Sequence, residues 1–364
     1  MTLSINFYTR AFLILFAVLI CFSGRAATNN SPILIAVLPV FNLSGKPAPL
    51  KDIRQSLINS FKRQGLNILD EKNLERFIVR HRVRYIGGIN EALAWAFREE
   101  TGVQAVLITS VELYSDISPP KLALTARLVS TGNDPQILWM AGLGLAGDKS
   151  PGLLELSLIE NSETLVEKAM QHLSTSLTGY LSGEKGWVDN QKTKKKFRPK
   201  VLFRSPVLGP GMKYTVAVIP FFNFSGSKYA GEVMALHFVR QLGALKNIAV
   251  IEPGEVRQAL LEMRITMNDG ISLADADDVL KRLDADLILT GKVLDYQDYQ
   301  GPIGKPRVNF SASLIERQSR EVVWSCKSYN EGDEGVWFFD LGKINTAHSL
   351  STEMVQLAID TIFE

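Results

Sequence analysis

The sequence predicts an α/β protein that consists of two tandem copies of a mixed β-sheet domain with flanking helices, joined by a basic linker. Three observations predict this fold class: a long internal repeat, the order of elements within each copy, and a lysine-rich segment between the copies. Residues 36–45 read AVLPVFNLSG and residues 217–226 read AVIPFFNFSG, which are identical at seven of ten positions with an offset of 181. A period this long indicates tandem domains, since solenoid repeats run about 20–50 residues.

The first half of each copy alternates between strands and helices. In the first copy, residues 33–40 are a near-continuous apolar run, which is typical of a strand covered on both faces. A turn should follow at Asn42, Ser44 and Gly45, because Asn and Ser bond the local backbone and Gly accepts positive φ. Further helices are predicted over 49–63 and 72–82 and from Asn90 onward, and further strands over 66–69 and 105–113.

The second half of each copy predicts a hairpin and a closing helix. Positions 122, 124, 126 and 128 are apolar, whereas Lys121, Thr125 and Arg127 are polar, so this strand should be half-buried. A turn at 132–135 leads into a strand over 137–145, and a helix is predicted over 162–181. Crossover helices favour parallel neighbours early and the hairpin forces antiparallel strands late, so the sheet should be mixed.

Composition excludes several classes of protein and site. The 364 residues allow about two domains of roughly 150 residues each. With 46% apolar and 21% charged residues, the chain is globular rather than disordered. Two cysteines exclude a disulfide-stapled scaffold and a four-cysteine zinc site. No metal or cofactor is predicted, because the four histidines form no local metal motif. These are His81, His172, His237 and His348.

The amino terminus has the pattern of a secretory signal. Residues 11–22 are twelve apolar residues without a charge, too few for a bilayer span of about 20. Arg10 precedes this run and Gly24-Arg25-Ala26 follows it, so residues 1–26 are predicted to be a signal peptide and the mature chain periplasmic. The alternative is a lipid anchor on Cys21, but Ile20 stands where bacterial lipoproteins carry a small residue.

A basic linker is predicted over 183–212, between a first domain at 33–182 and a second at 213–364. Residues 192–200 hold six positive charges in nine residues, which should keep the segment extended. Lys194, Lys195 and Lys196 are therefore candidate contacts with an acidic partner or an anionic membrane surface. The overall net charge of +2 does not indicate nucleic-acid binding, and the predicted export argues against nucleic acid as a partner.

Three motifs of the second copy resemble a family of bacterial envelope domains. Residues 216–226 resemble its opening strand and turn, residues 285–293 its strand ending in Thr-Gly, and residues 313–315 with 322–324 its hairpin. The family includes the TolB amino-terminal domain, the curli secretion lipoprotein CsgG and the LpoB-type activators of penicillin-binding proteins. The first copy matches more loosely, with Ser110 in place of Gly291. The resemblance implies a non-enzymatic binding or assembly module in the Gram-negative envelope. The sequence departs from CsgG in one respect, since a CsgG-type pore needs extra long amphipathic hairpins and none is inserted in this sequence.

Candidate interaction residues lie in two places besides the lysine cluster. One is the repeated turn, and the other is an aromatic run that could anchor a partner or pack in the core. No catalytic set of Ser-His-Asp, Cys-His or paired glutamates can be placed on one site from the sequence. The candidate residues are Asn42, Ser44, Gly45, Asn223, Ser225 and Gly226 in the turns and Trp337, Phe338 and Phe339 in the aromatic run.

The predicted function is that of a non-enzymatic periplasmic interaction or assembly protein. Its partners would be envelope proteins of a secretion, flagellar or peptidoglycan-synthesis complex associated with the outer membrane. The alternative is a periplasmic ligand-binding protein or hydrolase that uses a pocket between the two domains. That alternative requires an acid/base pair that converges in three dimensions. The oligomeric state and the identity of the partner stay open.

Overall fold

The first copy forms a mixed sheet with helices on both faces. The computed structural model describes residues 33–148, 158–184, 197–209, 211–265, 271–336 and 342–363. The elements are β1 (Leu34–Val37), β2 (Phe41–Asn42), α1 (Leu50–Arg63), β3 (Asn67–Ile68), α2 (Glu71–Arg80), α3 (Glu91–Thr101), β4 (Ala105–Ser115), β5 (Lys121–Ser130), β6 (Ile137–Ala146) and α4 (Ser162–Leu181). The strand order in the sheet is β3-β1-β4-β5-β6, and β2 also pairs with β4. The pairs β1–β3, β1–β4 and β2–β4 are parallel, whereas β4–β5 and β5–β6 are antiparallel.

The second copy repeats this order, which confirms the predicted fold class. The elements are β7 (Lys200–Arg204), β8 (Tyr214–Val218), β9 (Phe222–Asn223), α5 (Ala230–Gly243), β10 (Ile248–Val250), α6 (Pro253–Glu262), α7 (Leu273–Arg282), β11 (Leu287–Gln297), β12 (Arg307–Glu316), β13 (Val322–Glu331) and α8 (Ala347–Asp360). The strand order in this sheet is β10-β8-β11-β12-β13-β7, and β9 also pairs with β11. The parallel and antiparallel pairs of the first sheet recur at equivalent places.

Local chemistry fixes the helix starts where the sequence predicts them. The Asn90 side chain accepts a hydrogen bond from the Leu93 N–H and so caps α3, and Ser272 caps α7 in the same way. The closing helices dock through equivalent tryptophans. Trp139 and Trp324 are both fully buried, and their indole N–H groups donate to Ser176 on α4 and Thr361 after α8. The repeat therefore extends to the hydrogen bonds of the core.

Part of the predicted linker is a strand. Lys200–Arg204 forms β7, which pairs antiparallel with β13 and adds one strand to the second sheet. The physical reason is that β13 would otherwise present an unpaired edge, and the Val201-Leu202-Phe203 run has the residue types that strands favour. The signal segment 1–26 with Cys21, and Lys194, Lys195 and Lys196, lie outside the described residues.

The two copies are not separate bodies. Residues Leu34–Glu364 form one compact unit, and Leu43 and Met140 of the first copy belong to the core of the second. Helix α5 is buried on all sides, at twelve of its fourteen residues, because it lies between the two sheets. Among the described residues, no helix is both long and apolar enough to cross a membrane.

Strand β5 corrects the expectation of a half-buried strand. Nine of its ten residues are buried, including Lys121, Thr125 and Arg127. One face of the sheet packs on α1 and α4. The other face packs on α2 and α3 at Val106, Ile108 and Val129, and the second copy covers it where it carries these polar residues. An alternating pattern predicts one apolar and one polar face, but it carries no information on a second domain that covers the polar one.

Candidate functional site at the interface between the copies

The interface between the copies contains a fully buried ion pair. Arg127 on β5 donates from Nε and Nη2 to the two carboxylate oxygens of Glu252, each at 2.9 Å, and from Nη2 to the Gly87 carbonyl at 2.6 Å. The Glu252 carboxylate also accepts from the backbone N–H groups of Ile89 and Gly254. Burial alone would lower the pKa of Arg127, but the charge and hydrogen bonds of Glu252 outweigh it and raise that pKa. The pair is thus neutralised and hydrogen-bonded within the protein.

Beside this pair the two backbones touch. A Cβ on Gly88 would lie 2.7 Å from the Gly254 nitrogen, and a Cβ on Gly254 would lie 2.4 Å from the Ile89 carbonyl oxygen. Around this contact, the Glu91 N–H donates to Glu255, and the Arg257 guanidinium lies 4.2 Å from the centre of the Tyr85 ring. Glycine at both positions lets the start of α6 lie directly on the loop before α3.

A second charged contact lies at the start of β5. The Lys121 Nζ donates to the Tyr299 carbonyl at 2.9 Å and lies 2.8 Å from the centre of its ring. Burial lowers the pKa of Lys121 from 10.5 to about 8. Nearby, Asp298 accepts from the Ala347 N–H at the start of α8, and burial raises the pKa of this carboxyl to about 6. The first sheet therefore meets the second copy through groups that are costly to ionise.

Lys121 predicts a pH dependence of stability. Its pKa is lower in the folded chain than in the unfolded one, so the unfolded state binds more protons between about pH 8 and 10.5. The free energy of unfolding should therefore rise with pH across that window, by up to about 1.4 kcal/mol per pH unit. Lys121→Met should remove this slope and be neutral or stabilising at pH 7. Urea unfolding of both proteins at pH 7 and 9.5 measures the difference. Equal slopes would show that Lys121 is not desolvated.

Between these contacts lies a cluster of Glu112, His237 and His348, contributed by β4, α5 and α8. His348 Nδ1 is 2.6 Å from Glu112 Oε2, and His237 Nε2 is 3.7 Å from the same oxygen. The two imidazole rings lie 4.6 Å apart, and both histidines are only 2% exposed. The Thr125 hydroxyl donates to the other carboxylate oxygen of Glu112. All three residues offer ligand atoms within 4.8 Å of one another, so the cluster could hold a metal ion.

The backbone explains why this cluster can form. Glu112 lies at a register shift between Val111 and Leu113, and such bulges redirect a side chain. On β6, a Cβ on Gly142 would lie 2.3 Å from Arg240 Nη1 and 2.9 Å from His348 Cε1. Glycine there leaves the space that the histidine and arginine fill. Burial, His348 and Arg240 together lower the pKa of His237 well below its usual value.

Sequence reasoning missed this cluster because its members are far apart along the chain. Glu112 precedes His237 by 125 residues and His348 by 236, and local metal motifs require ligands a few residues apart. Two signals were available. Glu112 interrupts an apolar strand, and His237 and Arg240 lie in a segment, AGEVMALHFVRQLG, that is otherwise mostly apolar. Charged or polar residues in such segments indicate a buried polar contact.

The repeated turns are built alike in both copies. The Asn42 side-chain oxygen accepts from the Ser44 N–H at 3.0 Å and its hydroxyl at 2.7 Å, and Asn223 and Ser225 repeat both distances. Gly45 has φ of 69°, whereas Gly226 does not have a positive φ. These side chains bond their own turns and do not join the cluster around Glu112. The candidate aromatic run, Trp337, Phe338 and Phe339, lies outside the described residues.

Comparisons with known proteins concern a single copy. No protein-family model matches the sequence, and no curated protein matches it. The PelC dodecamer from Paraburkholderia phytofirmans is 18% identical, over 45% of this chain and 96% of that one, with a TM-score of 0.31. A lipoprotein from Neisseria meningitidis is 21% identical, over 40% of this chain and 99% of that one, with a TM-score of 0.28. The LpoB C-terminal domain from Salmonella enterica is 15% identical, over 35% of this chain and 87% of that one, with a TM-score of 0.26. No activity follows from identities and TM-scores this low.

Proposed function

We propose that this chain is a non-enzymatic interaction protein of the bacterial cell envelope, and that the open sheet face of its second copy binds a partner protein. The open sheet face is the outer side of β7 and β11–β13, with Phe203, Lys292, Ser311, Ser313, Ser325, Lys327 and Tyr329. The signal-like segment 1–26 supports export, and a secretion, flagellar or peptidoglycan-synthesis complex is the proposed setting.

One observation carries this proposal: equivalent faces of the two copies differ in burial. In the first copy this face is covered by α5, α8 and the start of α6, and Arg127 and Met140 are at most 1% exposed. Their equivalents in the second copy, Ser313 and Ser325, are half-buried, and Tyr329 is 52% exposed. The face of this fold that binds helices in one copy is thus accessible in the other.

The residues of the open sheet face define the chemistry of the partner. Phe203 and Tyr329, 50% and 52% exposed, provide aromatic surface of the kind that anchors protein interfaces. Lys292 and Lys327 are exposed on the same face and add positive charge. Because helices cover the equivalent face of the first copy, the partner we propose is a helical surface rich in acidic residues.

The test uses a photo-crosslinking phenylalanine analogue in place of Tyr329, in the full chain expressed in Gram-negative cells. We expect one adduct of defined mass, which the double substitution Lys292→Glu and Lys327→Glu removes. The matched controls are the crosslinker at exposed Gln171 on α4 and the double substitution Lys62→Glu and Lys168→Glu. No adduct from position 329, or an adduct unaffected by the first charge reversal, would refute the docking face. An adduct of twice the chain mass would show that the face binds a second molecule of this chain rather than another protein.

The alternative of a hydrolase or ligand-binding protein with a pocket between the copies has less support. Its best acid/base candidates are Glu112, His237 and His348, and these are buried away from any substrate in the described structure. Two surface pockets each belong to one copy. One is lined by Asp277, Lys281 and Arg317, and the other by His81, Trp95 and Glu100.

A further inference from the structure

The cluster of Glu112, His237 and His348 is distinct from the open sheet face and has an unsatisfied hydrogen-bonding pattern. Within the described part of the chain, His237 Nε2 and His348 Nε2 are both buried without a hydrogen-bond partner. A buried polar atom without a partner costs about 1–3 kcal/mol. The atom on His237 requires an explanation in particular, because it faces the Glu112 carboxylate.

The hydrogen bonds of Thr352 determine which nitrogen of His237 carries its proton. The Thr352 hydroxyl donates its single proton to the His348 carbonyl at 2.9 Å and accepts from Arg240 Nη2 at 2.8 Å. Towards His237 Nδ1, 3.4 Å away, this oxygen can therefore act only as an acceptor. The proton of the neutral imidazole thus lies on Nδ1, and Nε2 carries a lone pair.

This lone pair faces a carboxylate. His237 Nε2 and Glu112 Oε2 are both acceptors, and they lie 3.7 Å apart inside the protein with His348 beside them. We propose that Glu112, His237 and His348 bind a divalent transition-metal ion of the zinc class, which ties the first copy to the second. The ion supplies the positive charge that the facing acceptors require.

Two of the three distances between ligand atoms are close to what such an ion requires, and all three ligand atoms lie within 4.8 Å of one another. Two ligands about 2.0–2.1 Å from zinc lie roughly 3.3 Å apart at the tetrahedral angle. The separation of 3.7 Å between His237 and Glu112 is close to this value. His348 Nδ1 and Glu112 Oε2 are now 2.6 Å apart and hydrogen-bonded. They would have to move apart by ~0.7 Å, and the ion would take the place of the proton between them. The displaced proton moves to His348 Nε2, so the imidazole stays neutral.

The surroundings select the class of metal. Two imidazoles and one carboxylate are ligands of zinc-class ions, whereas Mg²⁺ and Ca²⁺ prefer sites made only of oxygen. Thr125 orients the carboxylate and Thr352 holds the His237 ring, as groups behind metal ligands commonly do. Arg240 lies next to the cluster, and its positive charge opposes the binding of any cation there.

The first measurement is made on the full chain without substitutions. Because the ligands are buried, the chain is unfolded, stripped of metal, refolded with Zn²⁺ and desalted. We expect one zinc per chain by elemental analysis, a higher Tm than for the chain refolded in chelator, and ligand-field absorption when Co²⁺ replaces Zn²⁺. A chain that refolds fully but retains no zinc overturns the proposal, and a buried water or proton would then account for the cluster.

Variants locate the ion. His237→Gln and His348→Gln should each weaken zinc binding at least about tenfold and remove the rise in Tm. The matched control is His172→Gln, the same substitution at an exposed histidine of α4, which should bind zinc as the parent does. Where a histidine variant fails to refold by circular dichroism, the isosteric Glu112→Gln takes its place. Retention of zinc by these variants at the parent's affinity also overturns the proposal.

Discussion

Glu252→Ala should destabilise the folded chain by about 3–5 kcal/mol, because it leaves the Arg127 guanidinium buried without its counter-charge. Both side chains of this pair are at most 1% exposed, and among the residues that the structure describes Arg127 would keep only the Gly87 carbonyl as a hydrogen-bond partner. Water cannot replace the carboxylate unless the interface opens. The loss should appear as a lower urea midpoint of unfolding with the full chain.

Two further variants distinguish the buried charge from lost packing. The double substitution Arg127→Met and Glu252→Met should recover part of the loss, because neither charge then remains buried. Glu262→Ala breaks an ion pair with Arg282 in which both side chains are more than 40% exposed, so it should lower the free energy of unfolding far less than Glu252→Ala does. A loss of similar size for Glu252→Ala and Glu262→Ala would contradict the assignment of the buried pair to the interface.

Gly254→Ala should also destabilise the chain, by about 2–3 kcal/mol, because its methyl group would meet backbone rather than movable side chains. The nearest atoms are the oxygen, nitrogen and carbon of Ile89, at 2.4, 2.5 and 2.6 Å. Alanine in a helix is intrinsically favoured over glycine by about 1 kcal/mol, so a stabilised variant would show that the two backbones do not touch.

The matched control for this glycine is Gly226→Ala. Its Cβ would have no heavy atom within 4 Å and its φ is not positive, so the change should stay within about 0.5 kcal/mol. Gly88→Ala changes the other side of the same contact, because its Cβ would lie 2.7 Å from the Gly254 nitrogen. Combined with Gly254→Ala it should cost less than the sum of the single effects, since one opening of the interface accommodates both methyl groups. Thermal or urea unfolding of the four proteins measures this.

The sequence predicted the fold of each copy because its signals are local. The repeated AVxPxFNxSG motif, the caps at Asn90 and Ser272 and the closing helix at 162–181 all depend on residues close together in the chain. Periodicity, turn chemistry and capping operate over a few residues, so they can be read without a partner surface. The segment 200–204 falls within the predicted linker because it lies next to a run of lysines, and it forms a strand in the structure because it pairs with β13.

What the sequence alone determined is two copies of one mixed-sheet domain with the same strand order. The burial of Lys121, Thr125 and Arg127 follows from the packing of the two copies. The same packing places Glu112 beside two histidines of the other copy. The physical reason is that a polar residue at an alternating position has the same local signature whether water or a second domain covers it. The packing of the two copies sets the burial and the pKa of such a residue. It also sets the distance between residues that lie more than a hundred positions apart in the chain, so these quantities are properties of the folded chain.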